Sequence, residues 1–264
     1  MQVKKEKAKS VSGRKPVWQR IAPVQKPQNK MKVSIYGVSG TGKTVLACTF
    51  PKPLLLIGAE DGTASVYNVK GVDYVRIERS EDIEDLVDYQ RRTGKYQTIV
   101  LDTLSSYQEL VLTSVLSLKK VPTQLSWGIA TQEEWGQISI GVKNALRELF
   151  SLSCNVVILA QQREFNTDVQ TDAISPYVAS AVSPSILSYL HPSVDFIMQT
   201  FIRESTVKVK TKIKNKEVTQ TKRVQQFCLR IGVDPIYAVK FRGPLKDRPD
   251  VLVNPTYDQI QQLT

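Results

Sequence analysis

From Met31 onward, short unbroken apolar runs alternate with longer stretches in which apolar residues recur every three or four positions. The runs are "KVSIYG" (32–37), "PLLLIGAE" (53–60), "DYVRIE" (73–78), "QTIVLD" (97–102) and "NVVILAQQ" (155–162). An unbroken run suits a strand covered on both faces, because neither side of its pleat meets water. The stretches 43–50, 80–92, 104–119 and 131–152 read as helices. In the last of these, Thr131 and Glu134 form a capping box, and Trp135, Ile138, Val142, Ala145, Leu146 and Leu149 share one face. Ser80 is the expected N-cap of 80–92, with Glu81 and Asp82 at the positive end of the helix dipole. Strands and helices in this alternation predict an α/β fold with a mostly parallel central sheet.

The texture changes twice. Residues 163–183 are rich in Ser, Asp, Thr, Ala and Pro without period, and a loop that long in a compact domain is usually functional. After Asp195 the chain turns β-rich: "DFIMQTFIRE", "TVKVKTKIK", "VTQTKRVQQFCLRI" and "IYAVKF" read as strands, with a turn near 214–217 and a hairpin over about 203–232. Lys208, Lys210, Lys212, Lys214 and Lys216 alternate, which places them on one face of a strand. Lysines so placed either contact a polyanion or keep a sheet edge from aggregating.

With 264 residues and 41% hydrophobic content, one substantial core is expected, in a single main domain at 31–264 behind a flexible basic arm at 1–30. Within the arm, Trp18 and Ile21 are the apolar residues available to dock on a neighbouring subunit. No run approaches 18 apolar residues and the first residues are Lys-rich, which argues against membrane spanning and export and for a cytoplasmic location. Cys48, Cys154 and Cys228 are far apart and read as reduced core residues. His191 is the sole histidine, so Ser-His triads and His-rich metal sites have little material.

The formal charge of +11 is concentrated. Residues 1–30 hold nine Lys/Arg against one Glu, residues 203–223 hold eight against two, and the rest is net negative. Two basic segments on an acidic body point to a polyanion, with nucleic acid the first candidate and plain solubility the alternative.

The chemistry sits on the strand ends. "GVSGTGKT", Gly37, Val38, Ser39, Gly40, Thr41, Gly42, Lys43 and Thr44, matches GxxxxGK[ST] at every fixed position, between a strand and a helix. In such a loop backbone N–H groups cradle phosphates, the lysine reaches the β/γ oxygens and the hydroxyl holds Mg²⁺. ATP and Mg²⁺ are therefore the expected ligands. Asp102 ends "TIVLD", where an acidic partner for the metal is needed, although it also reads as an N-cap for 104–119. Glu60 ends "LLLIGAE" and is a candidate general base, or a turn carboxylate before "DGT". Gln161 ends "VVILAQ" and is a candidate γ-phosphate contact, with Gln162 equally placed.

In order and spacing, "GVSGTGKT", "LLLIGAE", "TIVLD" and "VVILAQQR" resemble the RecA-type ATPase core, and "FPKPLLLIGAEDG" resembles the compact phage ATPases of the Sak single-strand annealing group. The resemblance covers about residues 31–200. It implies a RecA-like P-loop NTPase fold, Lys43 and Thr44 at phosphate and magnesium, Asp102 as Walker B, Glu60 as the catalytic carboxylate and Gln161 as sensor. It further implies DNA contact by 163–183, where Arg163 is the only basic residue. Lys240 and Arg242 in "VKFRG" are similar to the basic pair that reaches a neighbour's nucleotide. An ATPase acting on single-stranded DNA follows as the expectation, in phage or bacterial host cytosol. A homo-oligomeric ring or filament and a recombination or single-strand-binding protein partner are expected with it. A small-molecule kinase and a nucleotide-dependent loader or regulator of another protein are the alternatives. Phe165 and Tyr177 are candidates for stacking on bases.

Overall fold

The computed structural model of the chain describes residues 17–21, 30–60, 62–116, 130–165, 177–213, 216–243 and 248–264. Along it run β1 (Lys32–Gly37), α1 (Lys43–Ala47), β2 (Leu54–Gly58), β3 (Val72–Arg76), α2 (Asp82–Thr93), β4 (Thr98–Asp102), α3 (Leu104–Val115) and α4 (Gln132–Phe150). There follow β5 (Asn155–Phe165), β6 (Tyr177–Ser180), α5 (Pro184–Ser193), β7 (Phe196–Ile213), β8 (Lys216–Arg230), β9 (Lys240–Phe241), β10 (Val251–Val253) and α6 (Tyr257–Gln261).

The strands form one sheet in the order β10-β8-β7-β1-β5-β4-β2-β3, with β6 on β5 and β9 on β7. The six strands from β7 to β3 in that order pair in parallel, and the four additions are antiparallel. The fold is therefore the α/β architecture with a mostly parallel central sheet that the alternation of runs predicts.

Both faces are covered because the buried strands are apolar at odd and even positions alike. Leu55, Ile57, Ile99, Leu101, Val156 and Ile158 pack beneath α2, α3, α4 and α5. Their neighbours Leu54, Leu56, Val100, Val157 and Leu159 pack on the opposite face with Leu46 and Ala47 of α1 and Tyr257 and Ile260 of α6. The three cysteines are free and buried. Among the described residues no helix is long and apolar enough to cross a membrane.

Local chemistry moved some boundaries. Ser80 does not cap α2: the helix starts at Asp82, whose carboxylate accepts from the backbone N–H groups of Glu78 and Arg79 at 2.8 and 2.9 Å. The Ser80 hydroxyl is instead spent as a donor, to Glu81 Oε1 at 2.7 Å. Asp102 does not cap α3 either, because Thr103 does, its hydroxyl accepting from Ser106 N at 3.2 Å. The capping box of α4 is present, formed by Thr131 and Glu134. Helix α5 was not expected, although Ser183 followed by Pro184 at the first turn is a start signal in the sequence. The predicted helix 104–119 is described as far as Val115, and 117–129 lie outside the described residues.

At the C-terminal side, "DFIMQTFIRE" and "TVKVKTKIK" are one strand, β7, paired with β8 from Gln199↔Arg230 to Ile213↔Lys216. This corrects the row of five lysines: Lys208, Lys210 and Lys212 lie on β7, whereas Lys216 opens β8 opposite Ile213. The side chains of 207–222, with Lys214 and most of the 1–30 arm, lie outside the described residues. Of the arm, a single 3-10 turn at Val17–Arg20 is described, with Trp18 and Ile21 exposed.

Candidate active site

Parallel pairing aligns the carboxyl ends of the central strands. Gly37 of β1 stands in register with Gln161 of β5 and Thr200 of β7, and Gly58 of β2 with Asp102 of β4. Ligands of open parallel sheets bind at this edge.

The loop from Gly37 to Thr44 is shaped by its glycines. Gly40 and Gly42 take φ of 80° and 85°, where an L side chain is strained. A Cβ on Gly37 would fall 2.2 Å from Thr200 Oγ1, so glycine alone lets β1 and β7 close up there. The Thr41 hydroxyl donates to Val38 O at 2.7 Å and lies 2.7 Å from Thr200 Oγ1.

Lys43 is buried, and its Nζ donates to the carbonyls of Gly37 and Val38 at 2.9 and 3.0 Å. Burial lowers its pKa from the ordinary lysine value, against the pull of Asp102 and Glu60. Nζ also lies 3.4 Å from Gln161 Oε1. Gln162 points elsewhere: its Oε1 accepts from Gln199 Nε2 at 3.0 Å, and Gln199 Oε1 accepts from Arg230 Nε at 3.2 Å. Strand parity separates the two glutamines, since Gln161 shares a face with Val157 and Leu159, the layer that holds α1.

The Thr44 hydroxyl donates to Asp102 Oδ2 at 2.7 Å. Burial raises the pKa of this carboxyl, opposed by the Thr44 hydrogen bond and by Lys43. A hydroxyl and a carboxylate oxygen so close together suit Mg²⁺, which takes hard oxygen donors and fills its remaining positions with water and substrate phosphates. Glu60 lies at the same edge, its Oε1 accepting from the hydroxyls of Ser106 and, at 3.3 Å, Thr103. The N-cap and first turn of α3 thus supply two hydroxyls that fix the carboxylate.

These groups line a cavity of about 690 Å³, within the 300–1,000 Å³ usual for small-molecule sites. Its walls include Lys43, Thr44, Glu60, Asp102 and Gln161, but also Thr200, Phe227, Asn254, Pro255 and Thr256, which sequence reasoning missed. They come from distant segments: β7 brings Thr200 in by pairing with β1, β8 brings Phe227 in by pairing with β7, and β10 brings Asn254 to Thr256 in by pairing with β8, where Val253 stands opposite Cys228 and Asn254 N donates to Phe227 O at 2.7 Å.

The remaining sequence-predicted residues lie apart. Lys240 Nζ donates to the carbonyls of His191, Pro192 and Val194 at the end of α5, at 2.8, 3.3 and 2.7 Å. Arg242 is paired with Asp195 at 3.0 Å. Lys240 opens β9 and Arg242 follows it, and β9 pairs with the start of β7 at the amino edge of the sheet, opposite the cavity. Arg163 stacks over the Phe165 ring at 5.3 Å, and Phe165 contacts Tyr177 at a centroid distance of 6.5 Å, on the β5–β6 hairpin beyond Gln162.

If Asp102 positions the metal, Asp102→Ala should raise the half-saturating Mg²⁺ concentration of turnover by about ten- to a hundredfold, the usual cost of losing an outer-shell partner. An ATPase titration with Mg²⁺ measures this, and an unmoved midpoint removes Asp102 from the site.

Comparison with known proteins places these residues in context. Residues 29–227 match the family model described as AAA domain. No curated protein matches the sequence. Among solved structures the chain is similar to the flagellar accessory protein FlaH from Methanocaldococcus jannaschii, at 9% identity and a TM-score of 0.35, over 80% of this chain and 89% of that one.

Proposed function

The chain belongs to the AAA domain family, and on that premise we propose that it binds ATP with Mg²⁺, hydrolyses it, and couples its nucleotide state to single-stranded DNA. The observation that carries the reading is the convergence of Lys43, the Thr44–Asp102 pair, Glu60 and Gln161 on one cavity at the carboxyl edge.

The loop N–H groups and Lys43 take the triphosphate. Nζ exchanges its two carbonyl acceptors for phosphate oxygens, a short move from a position already inside the loop. Thr44 and Asp102 would hold Mg²⁺, which when bound neutralises phosphate charge as it develops. Glu60, fixed by Ser106 and Thr103, accepts a proton from the attacking water. Gln161 contacts the γ-phosphate through its amide, and the adjacent Gln162–Gln199–Arg230 chain links that position to β7 and β8.

The DNA part of the proposal rests on charge and placement. β7 runs thirteen residues beyond Thr200, roughly 40 Å at strand rise. Residues 203–223, most of which belong to this projection and its return strand, carry a net +6 in the sequence. The likeness of the sequence to the Sak annealing group supports the same reading, and the proposal extends to cytosolic function and to head-to-tail association into a ring or filament through Lys240, Arg242 and Trp18. Phosphate contact releases counterions, so affinity must fall steeply with salt. Neutralising several hairpin lysines together, or deleting residues 2–30, should lower both single-strand affinity and the slope of log affinity against log salt. Unchanged affinity and slope in both variants would leave the charge as a solubility device. DNA-stimulated ATPase activity of the parent is the companion measurement.

A further inference from the structure

The cavity has two chemically different ends. One holds the polar groups described above. At the other, beyond the turn Gly42–Val45, lie Thr49, Phe227, Asn254, Pro255 and Thr256. Phe227 is 43% exposed although it lies against the loop, its ring carbon 3.3 Å from where a Cβ on Gly42 would be. An aromatic face open to a cavity gains nothing from a bare polyphosphate, which presents only charged oxygens. A flat heteroaromatic ring would gain by covering it.

The segment opposite Phe227 is held in place before any ligand arrives. Asn254 N donates to Phe227 O, and Tyr257 N donates to Thr49 Oγ1 at 2.9 Å. The Tyr257 ring packs on Phe50 at 4.9 Å, and Thr256 with Gln259 forms a capping box for α6. Asn254 itself has φ of 48°, a left-handed conformation uncommon outside glycine. The result is a slot with an aromatic wall, a proline and an exposed amide, joined to the phosphate end through the backbone of Gly42.

Resting on the nucleotide reading above, we propose that Phe227, Asn254, Pro255 and Thr256 form the slot for a purine nucleobase, with Phe227 as its stacking platform and Asn254 as its polar edge. Because Phe227 stands on β8 opposite Ile202, two residues beyond the last β7 residue paired with β1, the same hairpin that carries the basic run also holds the base.

The test compares full-length parent, Phe227→Ala and Phe227→Tyr for binding of Mg²⁺ complexes of ATP, CTP and inorganic tripolyphosphate by calorimetry. The parent should bind ATP more tightly than CTP and both more tightly than tripolyphosphate. Phe227→Ala should weaken ATP about five- to a hundredfold, the range of base–aromatic stacking, and leave tripolyphosphate unchanged. Phe227→Tyr should restore ATP affinity. Equal weakening of ATP and tripolyphosphate would show that the ring only props the loop, and unaltered ATP affinity would show that it touches no base; either overturns the slot. A parent that binds ATP and CTP alike overturns the purine assignment. A parent that binds tripolyphosphate as tightly as ATP overturns the slot and leaves the phosphate site standing, whereas one that binds none of the three overturns both.

Discussion

Lys43→Ala is expected to abolish ATP turnover, with a loss of about a thousandfold or more, the upper range for removing one preorganised donor to developing charge. The expectation rests on where the ammonium sits. It is buried and held by two backbone carbonyls, and burial lowers its pKa. A folded-state pKa below the unfolded value means that at neutral pH folding works against this charge, and the opposition eases only as pH rises toward the lysine range. The near-isosteric Lys43→Met should therefore leave the thermal midpoint of the nucleotide-free protein unchanged or higher while eliminating turnover. Loss of activity together with a lower midpoint would mark Lys43 as a structural prop. Undiminished hydrolysis would remove the P-loop assignment altogether.

Glu60→Gln should retain ATP and hydrolyse it about a hundredfold to ten-thousandfold more slowly, the usual contribution of a general base. The amide keeps an oxygen for the hydroxyls of Ser106 and Thr103, so the side chain stays in position and only its basicity is lost. Single-turnover hydrolysis beside equilibrium ATP binding separates the two effects. A parental rate would place the base elsewhere and return Glu60 to the turn that precedes "DGT".

The parts of this site that were legible in the sequence are those whose chemistry and position are local. "GVSGTGKT" carries its own geometry, and Asp102, Glu60 and Gln161 are visible because each polar group ends an apolar run. Even the tie between Gln161 and Gln162 yields to parity, once α1 is known to pack on the Val157–Leu159 face. Thr200 and Phe227 leave no comparable mark, since their place depends on the register of β7 with β1 and β8. Asn254 and Thr256 enter only because three residues of β10 pair with β8. The Thr131–Glu134 cap was legible, whereas the Ser80 cap was not realised for a different reason: near residue 80 adjacent oxygen side chains bond one another and upstream amides, Ser80 to Glu81 and Asp82 to the N–H groups of Glu78 and Arg79, and the sequence does not rank these choices. The single strand β7 reads as two segments in the sequence because its composition shifts from apolar to basic beyond Thr200, where its pairing with β1 ends.

That departure point has a mechanical meaning. β7 is clamped to β1 for five residues, Phe196 to Thr200, and the next thirteen are paired only with β8 among the described residues. Thr200, the last of the clamped residues, is also the one that Thr41 of the phosphate loop touches and a wall of the cavity. The root of the hairpin and the edge of the phosphate loop therefore share one hydroxyl contact, so neither shifts at that point without disturbing the other.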